Sequence, residues 1–323
     1  EAVRLNPQFA EAYFNRATPR LLQGDFLGGW ADYEWRWRRP AYPPPPFRQP
    51  LWDGSPLAGK TILLWAEQGL GDTFQFIRYA PLVKERGGNV IVACQAAVTR
   101  LLRSCAGIDR LIAKENAAAT DFDVYAPLMS LPAIFKTTLT TIPAAVPYLA
   151  ADAKLVEHWR EQLGSCAGLK IGIAWQGNPE YGNDRQRSLP LTCFEPLSRL
   201  AGVQLISLQK GPGIEQLQDV KGRWPIVDFT AKLDEAAGAF QDTAAIMSNL
   251  DLVISSDSAV AHLAGALGVP VWLALPWLPD FRWFVGRDDC PWYPTMRLFR
   301  QTQSGRWDDV FERIAQAVKP LAA

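Results

Sequence analysis

The sequence predicts an α/β protein with two doubly wound, Rossmann-like domains that face a cleft, preceded by a short all-helical segment. Two observations indicate the domains: apolar strands alternating with helices begin at residues 61–67, and a second such series begins at residues 170–175. Strands of this kind are typical of parallel sheets covered on both faces. The third observation is a helical pattern over residues 1–39. A length of 323 residues is enough for two domains with an appendage.

Four regions follow from these patterns. Residues 1–39 form the helical segment. Residues 40–50 include four consecutive prolines (Pro43 to Pro46) and form a stiff linker, because proline restricts the backbone and lacks an amide donor. Residues 51–150 form the first Rossmann-like domain, and residues 151–323 form the second, closed by a C-terminal helix.

The individual elements are assigned from hydrophobic periodicity. In the first domain we expect strands at 61–67, 89–94, 108–113 and 122–126, and helices at 72–86 and 96–104. In the second domain we expect strands at 170–175, 203–209, 225–229, 251–256 and 269–275, and helices at 154–163, 235–249, 258–267 and 307–318. Ligands of such sheets bind at the carboxyl ends of the strands.

The first 38 residues have the pattern of two helices joined by a glycine turn. Small residues such as Ala12 and Ala17 mark the first helix, Gly24-Asp25 marks the turn, and Trp30 and other aromatic residues mark the second helix. The pattern resembles one tetratricopeptide repeat, which implies removed upstream repeats and a protein partner or protein acceptor. A helical hairpin packed on the next domain explains the same pattern, and both interpretations stay open.

Composition narrows the functional classes. Thirty-three basic residues balance thirty-three acidic ones, which argues against nucleic acid or an anionic membrane as a partner. Five scattered cysteines and only two histidines argue against a zinc site and a disulfide framework, so no metal is expected. The same cysteine pattern indicates a reducing cytoplasm. The chain starts at Glu1 with no methionine and no signal peptide, which predicts a fragment of a longer protein. The uncharged stretch 258–279 is not expected to span a membrane, because Gly268 and Pro270 interrupt it.

Residues 54–61 match the P-loop pattern but lack its context. A P-loop follows a strand and precedes a helix, so that backbone amides and the helix N-terminus hold phosphate. Here a proline-rich linker comes before the pattern and a strand comes after it. Lys60 is therefore expected only to open that strand.

The turn at residues 69–74 begins like a dinucleotide fingerprint, but Phe74 replaces the third glycine. No ribose-binding acid stands out at the end of the second strand, so an NAD-dependent oxidoreductase is not expected. This glycine-rich turn instead places Asp72 at a helix N-terminus, at the cleft end of the first strand. Asp72 is either a helix N-cap or a catalytic base there.

The strongest functional signal is the segment from Ser255 to His262, which joins a buried strand to a helix of small residues. Hydroxyls, an acid and free amides at a helix N-terminus form a site for phosphate or sugar. An ordinary Ser/Asp cap explains everything except His262, one turn into an apolar helix. Such a histidine is commonly a satisfied core residue, but its place beside the cap favours a functional role.

Five segments together resemble bacterial tetratricopeptide-linked glycosyltransferases, which are similar to glycosyltransferase family 9, the lipopolysaccharide heptosyltransferases. These segments are residues 69–81, 173–191, 207–211, 256–272 and 287–301. The resemblance covers roughly residues 50–320, and its motifs are specific only in combination. It implies a GT-B fold, a nucleoside-diphosphate sugar as donor, a glycan or protein as acceptor, inversion at the anomeric carbon and no metal. No cofactor is expected either, since a nucleotide sugar would be a substrate.

The resemblance also implies roles for single positions. Asp72 matches the acid proposed as base for the acceptor hydroxyl, and it lies in an acceptor-side turn with Gln68, Gly69 and Gly71. Arg187 matches a basic residue that contacts the donor diphosphate. The positions expected to bind the donor are Gln176, Arg187, Gln209, Lys210, Ser256, Asp257, Ser258, Ala259 and His262.

Three positions depart from the family pattern. Arg187 replaces the usual lysine, Ala259 stands where the heptosyltransferases have glycine, and Lys210 stands near the place of an acid for the nucleoside. The heptose donor and the adenine base are therefore left open. Asp121 and Asp123 form the D-x-D motif that binds metal in another glycosyltransferase fold, but no neighbouring feature supports a metal here.

Two other functions remain open from the sequence. A non-catalytic module that binds a sugar nucleotide or a protein partner would keep the fold without using Asp72. A sugar-nucleotide epimerase on the same fold would need more cleft acids and histidines than this chain offers.

Overall fold

The computed structural model describes residues 1–164, 166 and 168–322. The chain divides into two compact units. The first contains Glu1–Ala144 together with Pro279–Arg287, and the second contains Ala145–Leu278 together with Asp288–Ala323. The segment 279–287, which the sequence analysis places in the second domain, is thus grouped with the first unit.

The first unit begins with a helical hairpin. Its helices are α1 (Ala2–Leu5), α2 (Ala10–Leu22) and α3 (Phe26–Tyr33), followed by a 3₁₀ turn at Glu34–Arg38. The Asp25 side chain accepts a hydrogen bond from the Gly28 amide (3.0 Å) and so caps α3. Trp30 is 1% exposed and packs edge-on against Phe76 of the α/β part of this unit. The hairpin therefore packs on the domain that follows it, while a link to further repeats stays a prediction.

The α/β part of the first unit has a four-stranded parallel sheet with the order β3-β2-β1-β4. The strands are β1 (Thr61–Trp65), β2 (Asn89–Cys94), β3 (Arg110–Ala113) and β4 (Val124–Pro127). The α-helices are α4 (Leu70–Phe76), α5 (Ala80–Lys84), α6 (Thr99–Leu102) and α7 (Leu131–Ile134), and the 3₁₀ turns are Ile77–Tyr79, Ala96–Val98, Lys114–Ala119, Leu128–Ser130 and Phe281–Trp283. The single helix expected at 72–86 is therefore divided into α4, a 3₁₀ turn and α5.

The proline-rich segment 40–50 contains no helix or strand, but it is fastened to the sheet. Phe47 packs edge-on against Trp65, Phe122 and Tyr125. The amide of Tyr125 in β4 donates to the Pro50 carbonyl (3.2 Å). Lys60 is exposed directly before β1, so the P-loop pattern precedes a strand as expected.

The second unit has a five-stranded parallel sheet with the order β6-β5-β7-β8-β9. The strands are β5 (Leu169–Ala174), β6 (Val203–Ser207), β7 (Leu252–Ser256), β8 (Val271–Leu275) and β9 (Met296–Arg300). The α-helices are α8 (Ala153–Leu163), α9 (Asp184–Arg187), α10 (Glu195–Ser198), α11 (Gln216–Val220), α12 (Gln241–Met247), α13 (Ala259–Ala266) and α14 (Asp308–Val318), with 3₁₀ turns at Leu191–Phe194 and Lys319–Leu321. The core on one face joins sheet residues such as Ile173 and Ile254 to α14.

Two sequence-based expectations for this unit differ from the structure. The strand at 225–229 is only an isolated bridge from Val227 to β6, because Pro225 lacks an amide donor and the chain turns at Asp228. The helix at 235–249 begins only at Gln241, because Asp234 accepts from the amides of Asp242 (2.7 Å) and Thr243 (3.1 Å) and caps α12 from outside.

Strand β9 was not expected at all. It forms the edge of the sheet, and it contains the exposed Arg297 between buried Met296 and Leu298. It therefore lacks the continuous apolar run that marks the inner strands.

The uncharged stretch 258–279 folds as helix α13, a turn and strand β8, as expected. Within the described residues, none of the helices has both the length and the apolar character needed to cross a bilayer.

Candidate functional site

The second unit presents a topological switch point at the carboxyl ends of β5 and β7. From β5 the chain continues to β6 on one side, and then returns to β7 on the other side. Parallel sheets with this order bind ligands in the crevice at that point. Gln176 follows β5, Gln209 follows β6, and Asp257 follows β7, so the sheet brings these three predicted site residues to one edge.

The junction between β7 and α13 is buried and rich in hydroxyl groups. Ser255 donates to the Ser256 carbonyl (2.7 Å), and its hydroxyl lies 3.3 Å from that of Ser258. Asp257 and Ser258 are also buried. The Ser256 hydroxyl oxygen is enclosed and has no hydrogen-bond partner among the described residues. Since buried polar groups are normally satisfied, this hydroxyl calls for an explanation beyond the fold.

Helix α13 begins at this junction, and its first amides have no recorded acceptor among the residues that the structure describes. Ser258 is the N-cap residue, but its side chain makes no capping hydrogen bond. The first amide that bonds within the helix is that of Ala261, to the Ser258 carbonyl (3.1 Å). The amides of Ala259 and Val260 precede it, and the helix dipole adds partial positive charge there. This combination suits an anionic group.

His262 is buried one turn into α13. Its Nδ1 lies 2.9 Å from the Tyr293 hydroxyl. The Tyr148 hydroxyl donates to that of Tyr293 at 3.5 Å. Gly265 lies against the Tyr293 ring, where a Cβ atom would come within 2.5 Å of ring carbon Cδ1. His262 is thus satisfied within the fold on its Nδ1 side, and Tyr293 is a neighbour that sequence reasoning did not identify.

Gln209 ties the ends of β5 and β6 together. Its Oε1 accepts from the amides of Trp175 (3.0 Å) and Gln176 (3.1 Å). Its Nε2 donates to the carbonyls of Gln176 (3.1 Å) and Pro212 (2.8 Å). A side-chain amide offers two donor hydrogens and two acceptor lone pairs, and here all four are used. Gln209 therefore shapes the loops of the site.

Arg187 is the last residue of the short helix α9, which follows β5, and its side chain is mostly covered. Its Nε donates to Asp184 Oδ1 (3.2 Å), and its guanidinium lies 4.4 Å from the centre of the Tyr181 ring. Gly177 passes so close that a Cβ atom there would come within 2.7 Å of Arg187 Nη2. Absence of a side chain at position 177 thus lets the backbone after β5 approach the guanidinium.

Lys210 is engaged in an exposed ion pair. Its Nζ lies 2.7 Å from Glu235 Oε1 and also contacts the Leu233 carbonyl. The pair lowers the pKa of Glu235, chiefly through the hydrogen bond from Lys210. Lys210, which follows β6, is therefore already paired, and an anionic ligand would compete with Glu235 for its ammonium group.

A cavity of about 660 Å³ opens in the second unit beside Gln176. Its lining combines amide, hydroxyl and indole side chains, including Gln176, Ser188, Gln216, Trp277, Gln301 and Trp307. The backbone amides of Trp277 and Gly305 both donate to Gln301 Oε1 (3.1 Å each). Gln301 thereby joins two of the loops that line the cavity.

In the first unit, Asp72 is held from two sides at the start of α4. Its Oδ2 accepts from the Gly69 amide (3.0 Å), as a capping acid does. Its Oδ1 forms an ion pair with Arg282. Gln68 in the same turn donates to the Tyr33 hydroxyl (2.7 Å), and its carbonyl accepts from Gln95 (2.7 Å). Gly71 lies within the first turn of α4.

The sheet of the first unit also has a switch point, between β1 and β4, and it holds an acid that sequence reasoning missed. Glu67 follows β1, and its side chain is 1% exposed. Oε1 accepts from Arg36 Nη2 (3.2 Å) and from the Met129 amide (3.3 Å), while Oε2 has no partner among the described residues. Burial raises the pKa of Glu67 to about 7, although Arg36 opposes the shift.

The second residue of the D-x-D motif, Asp123, has a role in the fold. Asp123 Oδ2 accepts from the Thr61 amide at the start of β1 (2.7 Å). In the described part of the chain, no three His, Cys, Asp or Glu side chains are grouped as metal ligands.

The chain was compared with known protein families and with proteins of known sequence. No protein-family profile matches the chain. It is 27% identical to the protein FlbA of Caulobacter vibrioides, in an alignment that covers all of this chain and 63% of that protein. The chain thus spans less than two thirds of that relative.

Three solved structures are similar in three dimensions. A family 9 glycosyl transferase from Veillonella parvula has a TM-score of 0.65 and 12% identity, over 84% of this chain and 99% of that one. The ADP-heptose lipopolysaccharide heptosyltransferase II of E. coli has a TM-score of 0.59 and 13% identity, over 81% and 98%. The E. coli heptosyltransferase WaaC, solved with ADP, has a TM-score of 0.51 and 12% identity, over 79% and 99%. The chain therefore shares the GT-B-like α/β fold of these family 9 glycosyltransferases.

Proposed function

We propose that this protein is a glycosyltransferase that moves a sugar from a nucleoside-diphosphate donor to an acceptor hydroxyl. The observation that carries the proposal is the β7–α13 junction at the switch point of the second unit. There a helix N-terminus with open amides meets the buried side chains of Ser256, Asp257 and Ser258. The fold shared with family 9 glycosyltransferases supports the same conclusion.

The donor's diphosphate would bind at the start of α13. Amides and the helix dipole stabilise an anion there, and they favour the departing diphosphate even more, because it gains charge as the glycosidic bond breaks. Arg187, the last residue of α9, is the cation proposed to share that charge. Gln209 would act indirectly, by holding the loop that carries Gln176.

The acceptor would be activated by Asp72 as general base. A base removes the hydroxyl proton as the new bond forms at the anomeric carbon. Inversion, independence of metal, and a glycan or protein acceptor follow the family resemblance and are part of the proposal. The helical hairpin is proposed as the end of a tetratricopeptide array that contacts a protein partner.

Ser256 offers a sharp test of the donor site. Its hydroxyl has no hydrogen-bond partner among the described residues, so Ser256→Ala leaves none of their polar groups unsatisfied and is expected to preserve or raise the melting temperature. If the junction binds the diphosphate, the same change weakens binding by about 10-fold, the value of roughly one hydrogen bond to a charged group. Calorimetry of the full chain with ADP, GDP and UDP measures this.

Ser248→Ala is the matched control. Ser248 lies in the same unit and its hydroxyl donates to the Ala244 carbonyl at the end of α12 (2.9 Å). That variant should lose a little stability and no affinity. Equal affinities for wild type and Ser256→Ala would reject the junction as the donor site.

Turnover separates the proposal from its alternative, a non-catalytic sugar-nucleotide or partner-binding module. Hydrolysis or transfer is measured with a panel of nucleotide sugars, with and without EDTA. Tight binding without turnover of any donor would favour the non-catalytic module, and loss of activity with EDTA would reject metal independence. Production of an epimerised donor without transfer would indicate the epimerase.

A further inference from the structure

Arg282 is a buried cation with an unusually complete set of partners in the first unit. Its Nε donates to Gln75 Oε1 (2.8 Å), its Nη1 to Asp280 Oδ1 (2.7 Å), and its Nη2 to Asp72 Oδ1. The guanidinium also lies 4.5 Å from the centre of the Phe281 ring. The three nitrogens of the guanidinium are thus each directed by a separate partner.

A buried arginine requires compensation because an unpaired charge in the interior is costly. Burial acts to lower the pKa of Arg282, but Asp280 and Asp72 outweigh it and raise that pKa. Arg282 therefore stays charged at every ordinary pH, and it exerts a fixed positive potential on Asp72.

Asp72 is restrained on its other oxygen as well. Oδ2 accepts from the Gly69 amide at 3.0 Å, while Oδ1 meets Arg282. An ordinary helix cap needs only the first of these contacts. The second contact comes from a residue 210 positions further along the chain, in the segment 279–287 between β8 and β9.

We propose that Arg282 is a positioning residue for the acceptor base: it orients the Asp72 carboxylate and keeps it ionised. The proposal rests on the role of Asp72 in the proposed function. Asp72 is 21% exposed at its side chain, against 9% for Arg282, so the carboxylate is the more accessible member of the pair. The neighbouring Gln75 and Asp280 hold the guanidinium when the carboxylate accepts a proton.

The charged groups around Asp72 and Arg282 explain why a permanent cation would be needed to keep Asp72 ionised. The titratable groups that interact electrostatically with this pair are Glu67, Asp280, Tyr33 and Tyr42, and the cation Arg36 acts in turn on Glu67 and Tyr33. A second carboxylate and burial both favour the protonated form of a carboxyl group, whereas a cation in contact with it favours the ionised form. Arg282 opposes the first two influences.

The test compares Arg282→Gln, which removes the charge, with Arg282→Lys, which keeps a charge without the planar fork. Carbon-13 labelling of aspartate carboxyl groups in the full chain, with Asp72→Asn to assign the signal, follows the titration of Asp72 directly. In Arg282→Gln the midpoint should move to higher pH by about one to three units, and Arg282→Lys should recover part of the shift. This measurement does not require an active enzyme.

Kinetics provide the second readout. Arg282→Gln should lower kcat on the order of 10²-fold through misplacement of the base, with donor KM nearly unchanged, and should shift the acid limb of the pH profile in the same direction as the titration. Arg16→Gln is the control, because it removes an arginine from an ion pair with buried Asp32 in the helical hairpin of the same unit. It should change the melting temperature but neither the titration nor the acid limb.

The outcomes separate the two proposals. Full turnover by Asp72→Asn would reject both the base and its positioning by Arg282. Low turnover by Asp72→Asn with an unchanged Asp72 titration in Arg282→Gln would reject the role of Arg282 alone.

Discussion

Arg36 and Glu67 form an ion pair with almost no contact with solvent, with 3.2 Å between Nη2 and Oε1 and side chains that are 0% and 1% exposed. The same guanidinium also bonds Glu34 Oε1 at 2.6 Å. One arginine is therefore shared by two carboxylates, and the closer contact goes to Glu34. Because Arg36 compensates only one charge fully, burial dominates at Glu67 and raises its pKa to about 7.

This relationship predicts a pH-dependent stability. The pKa of Glu67 is about 7 in the folded protein and near 4.5 when unfolded, so the folded state favours the protonated carboxyl group. The stability that this protonation contributes to the fold is fully present below pH 4.5 and is lost as pH rises through 7. That difference corresponds to about 3 kcal/mol. Glu67→Gln cannot ionise, so its stability relative to wild type should increase between pH 5 and pH 8 in denaturant unfolding. Exposed Glu85→Gln is the control, and a constant difference for Glu67→Gln across that range would contradict the prediction.

The hairpin is expected to contribute to the stability of the first unit. Trp30 packs against Phe76 (5.9 Å between ring centres) and Phe281 (5.7 Å). Trp30→Ala should therefore cost about 3–5 kcal/mol in circular-dichroism unfolding. Leu27→Ala, at an exposed position of the same helix, should cost far less. Unfolding of the α/β part at an unchanged midpoint in Trp30→Ala would mean that the hairpin is independent.

Gln209 and Lys210 are adjacent, but substitution of Gln209 should lower the stability of the fold, whereas substitution of Lys210 should not. Gln209→Ala leaves the amides of Trp175 and Gln176 without their acceptor and is expected to destabilise the fold by about 2–4 kcal/mol. Lys210→Ala removes only an exposed ion pair, so stability should hardly change. If Lys210 binds the donor, its variant loses affinity instead. Chemical unfolding and calorimetry on the same preparations measure both quantities, and equal stabilities would contradict the structural role of Gln209.

Substitutions of Arg187 and Lys60 distinguish the proposed diphosphate contact from the P-loop pattern. Arg187→Ala should weaken nucleoside-diphosphate binding by about 1.5–3 kcal/mol, the usual value of hydrogen bonds to a charged partner. Lys60→Ala should leave affinity unchanged, because Lys60 is exposed before β1 in the other unit. Calorimetry with the same nucleoside diphosphate measures the affinity of both variants. Equal losses of affinity would contradict the assignment of Arg187 as the diphosphate contact.

Asp72→Asn tests the base itself. Donor affinity should stay nearly intact while turnover falls by about 10²–10⁴-fold, the usual contribution of general base catalysis. Asparagine can still accept from the Gly69 amide, and Asp280 remains to compensate Arg282, so the unit should fold. Single-turnover transfer and thermal melting are measured together. A variant with reduced melting temperature but full turnover per folded molecule would show that Asp72 is only a cap.

The sequence by itself determined the elements that depend on local patterns. Apolar runs predicted the inner strands, such as those from 89–94 and 251–256, because strands buried on both faces need continuous apolar residues. The glycine turn before Asp72 and the strand–helix junction at Asp257 were equally visible, because both consist of neighbours in the chain.

Tertiary structure alone decided which distant groups meet. Arg282 reaches Asp72 across 210 positions, Arg36 reaches Glu67 across 31, and the edge strand β9 gains its place only by pairing with β8. The ionisation of Glu67 depends on burial and on how one guanidinium is shared. All hydrogen-bonding positions of the Gln209 amide are used because the loops after β5 and β6 converge on it. Periodicity reports which face of an element is buried, but it carries no information about the partner that buries it.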